Sequence, residues 1–99
     1  MQMDDIKFTW DKKKAKLNLQ KHKVSFEEAV TSFHDSNARF MHDPDHSDVE
    51  ERYIFLGMSC SMRLLVIAHC YREDDSEIRI ISARKADKHE EKQYWEFIK

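Results

Sequence analysis

The 99-residue sequence holds one glycine, one proline and two cysteines, and its formal net charge is only -2. Each shortage removes a class of explanation. No apolar stretch approaches the roughly 18 residues needed to cross a bilayer, and the opening MQMDDIKFTW has neither the basic nor the apolar segment of a secretory signal. The expectation is a cytoplasmic protein with no membrane contact. Cys60 falls in a predicted turn and Cys70 about 30 Å further along extended chain, well beyond the ~7 Å Cα separation a disulfide tolerates. Neither cysteine has the spacing of a metal ligand. A net charge this small does not recruit nucleic acid by bulk attraction. There are no internal repeats and no low-complexity tracts, and the one proline, Pro44, sits in the acidic stretch DPDHSDVEE, which reads as a loop.

What is present is enough for one domain, residues 1–99. Hydrophobic residues make up 40%, charged residues 36% and aromatics 11%, too apolar for a disordered chain. A chain of this length buries roughly two-thirds of its unfolded surface around a single core. The charge is unevenly placed: residues 11–23 hold six lysines against Asp11, whereas residues 43–51 hold Asp43, Asp45, Asp48, Glu50 and Glu51 with no cation.

Periodicity orders the elements. Ile6, Phe8 and Trp10 alternate with polar residues, as in a short half-buried strand. Asp11 can cap a lysine-rich helix on which Ala15, Leu19 and His22 share one face. Ser25 and Glu28 form a capping-box pattern ahead of a second helix with the stripe Phe26, Ala29, Val30 and Phe33. ARFMHD suggests a brief strand. Three strands then follow, 52–58, 63–72 and 77–84, the last two joined by EDDS. Asp87 with Glu90 repeats the capping pattern before a last helix whose face is Glu91, Tyr94, Trp95 and Ile98. Helices segregated from strands predict an α+β domain: an antiparallel sheet of about four strands with two N-terminal helices and a C-terminal one.

Four blocks in register, FTWDKKKAKLNLQKHKVSFEEA, DPDHSDVEERYIFLG, RLLVIAHCYRE and IRIISARKA, resemble the BrnT family. These are RelE-like ribonuclease toxins of type II toxin-antitoxin systems, and the resemblance spans nearly the whole chain. It implies a metal-independent endoribonuclease with no cofactor that cleaves RNA to stop translation. It also implies neutralisation by a BrnA-type antitoxin, a hetero-oligomer with that antitoxin, and operator DNA bound through it. A non-catalytic module that binds an antitoxin and co-represses transcription is the alternative. Three departures stand out. Lys23 replaces the glycine that usually ends the first helix, the SCSM turn lacks its usual glycine, and the last helix begins DKHEEKQ where many relatives are basic.

RNA cleavage without a metal needs a base for the 2′-hydroxyl, cations for the phosphate and an acid for the leaving oxygen. Arg84 and Lys85, at the end of a strand, suit the phosphate, the first as a planar fork and the second as a point charge. A solvated strand end explains them as well. His22, at a matching family position, and His69, in the sheet, are the candidate acid and base, with a structural histidine as the alternative for each. A four-residue EDDS loop pairs Arg72 with Glu77 and sets Arg63, His69, Tyr71, Ser82 and Arg84 on one face, with Arg79 on the other beside Cys70, unless a bulge intervenes or the loop differs by one residue, either of which flips the assignment. Arg63, Tyr71, Arg79, Ser82 and Lys88 are the candidate RNA contacts. Tyr71 and Trp95 could stack on bases but suit a core equally. HDPDH (42–46) could offer Asp43, Asp45 and His46 to a metal, yet its proline and turn-forming aspartates favour a charged loop, so no metal site is assigned.

Overall fold

Alternation decides which way each strand faces, and two sets of alternating apolar residues build two cores, one on each face of a single sheet. The computed structural model describes residues 6–42, 51–72 and 76–98. In chain order the elements are β1 (Lys7–Thr9), α1 (Lys12–His22), α2 (Phe26–Ser32), β2 (Arg39–His42), β3 (Tyr53–Met58), β4 (Leu64–Arg72), β5 (Glu77–Lys85) and α3 (Lys88–Ile98). The sheet order is β1-β5-β4-β3-β2. The α+β class is as expected, but the sheet has five strands and is mixed. β1 lies parallel to β5, with Lys7, Phe8 and Thr9 opposite Glu77, Ile78 and Arg79. The chain enters the sheet beside the strand it reaches last, so this pair needs a long crossover rather than a hairpin.

The face toward α1 and α2 buries Val24, Phe26, Ala29, Phe33, Phe55, Leu65, Ile67, Ile78, Ile80 and Ala83. Phe33 stacks on Phe55 with centroids 4.1 Å apart, and Trp10 meets Phe26 edge-on at 5.9 Å. The opposite face is apolar at one end only, where Tyr94 of α3 packs with Leu56, Leu64 and Val66. Among the described residues no helix covers the other end, which carries Ala68, Cys70, Arg79 and Ser82, and Arg84 sits at the border between the two ends, bonded to Glu90 of α3.

The helices begin where the sequence says they should. Asp11 accepts the Lys13 and Lys14 amides, Ser25 accepts that of Glu28, and Asp87 and Glu90 each accept the other's amide in a complete capping box. The second capping box is incomplete: Glu28 turns instead to Arg63 and Ser59, tying α2 to the β3–β4 turn. Two residues without the freedom of glycine adopt left-handed backbone, Lys23 ending α1 and Met62 in the SCSM turn, both at φ 61°.

Two predicted helix faces are corrected. In α1 the inward residues are Ala15, Asn18 and His22, while Leu19 is 48% exposed. In α3 only Tyr94 of the predicted stripe is buried, and Trp95 is 53% exposed. The edge of β5 needs the Asn18 amide, and Asp35, after α2, accepts the Tyr94 hydroxyl at 2.5 Å and the Met58 amide at 2.8 Å. Hydrogen bonds to these groups outweigh the effect of burial and hold the Asp35 carboxyl below its ordinary pKa; burial first and this bond second push the Tyr94 hydroxyl up to about 12.

Candidate nucleic-acid interface

Strand β5 changes phase partway along. From the loop, the register begins as the turn length requires, with Arg72 opposite Glu77 and His69 opposite Ile80. Between Ala68 and His69 a bulge then absorbs Ile81, so that Ala68 faces Ser82, Val66 faces Arg84 and Leu65 faces Lys85. One extra residue inverts every later side chain. The predicted common face of Arg63, His69, Tyr71, Ser82 and Arg84 is therefore corrected. Arg79, Ser82 and Arg84 share one face, Arg79 and Ser82 on the half that no described helix covers and Arg84 at its border with α3, while His69 and Tyr71 point to the α1/α2 side. Arg84 and Lys85, being neighbours on a strand, diverge to opposite faces.

The Arg84 guanidinium meets Glu90 through two parallel bonds of 2.8 Å, and its Nη1 also donates to the Lys85 carbonyl at 3.3 Å. Glu90 raises the Arg84 pKa, and Arg84 in turn holds the Glu90 carboxyl down. Lys85 is exposed beside Arg63 and Glu91, and Lys88 is exposed at the start of α3. Arg63 is committed to Glu28 and to the Lys23 carbonyl at 3.1 Å, which makes it an anchor of the turn.

His69 is fully buried in an aromatic cage, edge-on to Phe33 at 5.4 Å and to Tyr71 at 5.3 Å. Its ring nitrogens face the Ile67 carbonyl at 3.5 Å and the Tyr71 hydroxyl at 3.4 Å. Burial lowers its pKa to about 4, so the ring is neutral at pH 7 and no substrate atom can reach it. Half-buried Tyr71 packs against the same core. His22 is placed differently. Half-buried at the end of α1, it lines a cavity of about 230 Å³ together with Lys14, Lys21 and Ser82. The loop residues Asp43, Asp45 and His46 lie outside the described residues.

Sequence reasoning missed the residue that holds this edge. β1 ends at Thr9, opposite Arg79, and Asn18 takes its place further along. Asn18 Nδ2 donates to the Ala83 carbonyl at 2.8 Å and to the Val24 carbonyl at 2.9 Å, and the Ala83 amide donates back to Asn18 Oδ1 at 3.1 Å. One side-chain amide thus serves both backbone groups of Ala83, as a neighbouring strand would, and it does so between Ser82 and Arg84. Also missed were Lys14, Arg52 and Arg72, which gather near Arg79. The Arg72–Glu77 register already placed Arg72 on the face of Cys70 and Arg79, so that part was available from parity.

These features define a small α+β domain whose sheet presents arginines on a half-face flanked by α3. Its fold is shared with the Brucella abortus ribonuclease toxin BrnT, whose 1.1 Å crystal structure matches with a TM-score of 0.63 at 20% identity, covering 84% of this chain and 99% of that one. No curated protein sequence matches the chain. The family described as the ribonuclease toxin BrnT of type II toxin-antitoxin systems matches residues 10–90, and the chain belongs to that family.

Proposed function

We propose that this protein is a toxin that cleaves RNA endonucleolytically without a metal, and that RNA lies along the half-face carrying Arg79, Ser82 and Arg84. The observation that carries this reading is the bulge at Ile81, which brings those three residues to one side of a rigid strand. Bulges serve this purpose near functional sites, where they re-aim side chains. In the reaction, a ribose 2′-oxygen attacks the adjacent phosphorus as its proton leaves to a base. The 5′-oxygen departs with a proton, leaving a 2′,3′-cyclic phosphate. Arg84 stabilises charge gathering on the phosphate oxygens, for which Glu90 must yield its place on the guanidinium. His22, beside Ser82 and Lys21, is the proton carrier, and Lys85 and Lys88 attract the RNA from the strand end. A BrnA-type antitoxin neutralises the toxin, and the complex represses its own operon in the cytoplasm.

The test is induction of the chain alone in cells, followed by mapping of mRNA ends. Translation arrest with new 5′ ends, abolished by Arg84→Ala and persisting in extracts containing excess chelator, is expected. Undiminished toxicity of Arg84→Ala ends the assignment. A second reading has its own observation: Glu90 occupies both arms of Arg84, as befits an interaction module that binds an antitoxin without cleaving RNA. Antitoxin binding with no growth defect, even in Glu90→Gln, would select it.

A further inference from the structure

Between the last pairing of β1, Thr9 opposite Arg79, and the Asn18 latch on Ala83, the edge of β5 carries neither strand nor asparagine. A cavity of about 100 Å³ opens in this gap. Lys14 reaches it from the first turns of α1, Arg52 from just before β3, Arg72 from the end of β4 and Arg79 from the middle of β5, with Cys70 on its floor. Four cations from four parts of the chain line it with one carboxylate, Asp11, while Glu77 stands across the strands from Arg72 on the same face. The Asp11 carboxylate is already engaged in accepting two helix amides.

We infer that this cavity is a phosphate-binding subsite, distinct from the phosphate addressed by Arg84. Several cations converging around a small space repel one another, and a bound dianion offsets that cost. The cavity has room for one tetrahedral oxyanion and too little for a nucleobase or a peptide segment. Three guanidinium forks and one ammonium lining a single small space suit the several oxygens of a tetrahedral oxyanion. Arg84, about 15 Å from Arg79 along extended strand, does not line this cavity and is bonded instead to Glu90. A polynucleotide spanning the two arginines places two different phosphates. This deepens the ribonuclease reading and rests on it for the source of the phosphate, an RNA backbone rather than the free anion.

The experiment titrates inorganic phosphate, with chloride as the reference, into the ¹⁵N-labelled full chain while backbone and arginine Nε–H signals are followed by NMR. Saturable shifts at Lys14 and Arg79 are expected with phosphate and not with chloride. Affinity should fall about tenfold in Arg79→Gln and in Lys14→Gln, the latter on an exposed helix position that keeps the fold intact. It should rise in Asp11→Asn, because asparagine caps a helix as well as aspartate does while removing the competing charge. Shifts no different from those with chloride, or no gain in Asp11→Asn, overturn the inference. A short oligoribonucleotide then separates the sources. If the RNA backbone is the ligand, Arg79→Gln raises KM about tenfold, chiefly through lost ground-state binding. Phosphate binding with RNA KM unmoved assigns the site to the free anion and removes the RNA clause. Loss of cleavage in Arg84→Ala is scored separately, so the ribonuclease reading can survive the failure of the subsite.

Discussion

Acidification should destabilise this protein earlier than its carboxylates can explain, because of His69. Its ring is fully buried among Phe33, Phe55 and Tyr71, and burial holds its pKa at about 4 against 6.5 in the unfolded chain. The folded state therefore prefers the neutral ring. Stability from this group is fully present above pH 6.5, declines as pH falls toward 4, and levels off below that. The slope between is about 1.4 kcal/mol per pH unit, and the total is roughly 3 kcal/mol, a large share of the 5–15 kcal/mol typical of a domain. Asp35, Glu28 and Glu90, each held below its ordinary pKa, act only at lower pH. The window from pH 6.5 to 5 thus isolates the histidine. Urea unfolding at half-unit steps of pH, on wild type and His69→Leu, measures it. The variant should lose the slope in that window and, under the proposed ribonuclease function, cleave RNA as the wild type does, since no substrate reaches this position. An unchanged slope in His69→Leu, or an imidazole that titrates by NMR near 6.5 in the folded protein, would refute the reasoning.

Replacing Lys23 or Met62 by glycine should stabilise the fold by about 0.5–1 kcal/mol each in chemical denaturation, because relief of left-handed strain exceeds the entropy glycine adds to the unfolded chain. Gly57→Ala should cost about 1–3 kcal/mol: the new methyl would fall 2.3 Å from the Phe55 ring and 3.0 Å from the Ser32 carbonyl, and a shift in the Phe55 ring signals would report it. Asn18→Leu should cost upwards of about 3 kcal/mol by stranding the Ala83 amide and carbonyl and the Val24 carbonyl, and hydrogen exchange at Ala83 should rise before global unfolding does. At high pH the Tyr94 hydroxyl, raised to about 12, should stabilise the protein up to pH 10, and that contribution should fade as pH climbs through 12. A Tyr94→Phe variant should lack this alkaline loss in thermal melts.

The elements that strong local chemistry announces were legible in the sequence. Asp11, Ser25 and Asp87 start the three helices, and the richness in Ile, Val, Leu and Tyr of Tyr53–Met58, Leu64–Arg72 and Glu77–Lys85 gives the three long strands. The hairpin register near Arg72 and Glu77 followed from loop length alone. What could not be read was the place where backbone pairing breaks step. Nothing in IRIISAR marks Ile81 as the extra residue, and every assignment beyond it inverted. Pairwise hydrogen bonding across long sequence separation was equally hidden: Asn18 with Ala83 and Asp35 with Tyr94 each look like solvent-facing polar groups until the fold joins them. His69 misled for the opposite reason, since its chemistry suggested reactivity where its surroundings enforce silence.

The amide of Asn18 also has a consequence for how this molecule avoids its own kind. An open strand border invites a second chain to continue the ladder, and β5 would offer such a border wherever β1 falls short. Because the asparagine occupies both bonding groups of Ala83, a foreign strand cannot dock there without first evicting a helix. A single side chain therefore closes the β5 edge at Ala83 to strand addition, and β1 and β2 remain the two border strands of the sheet.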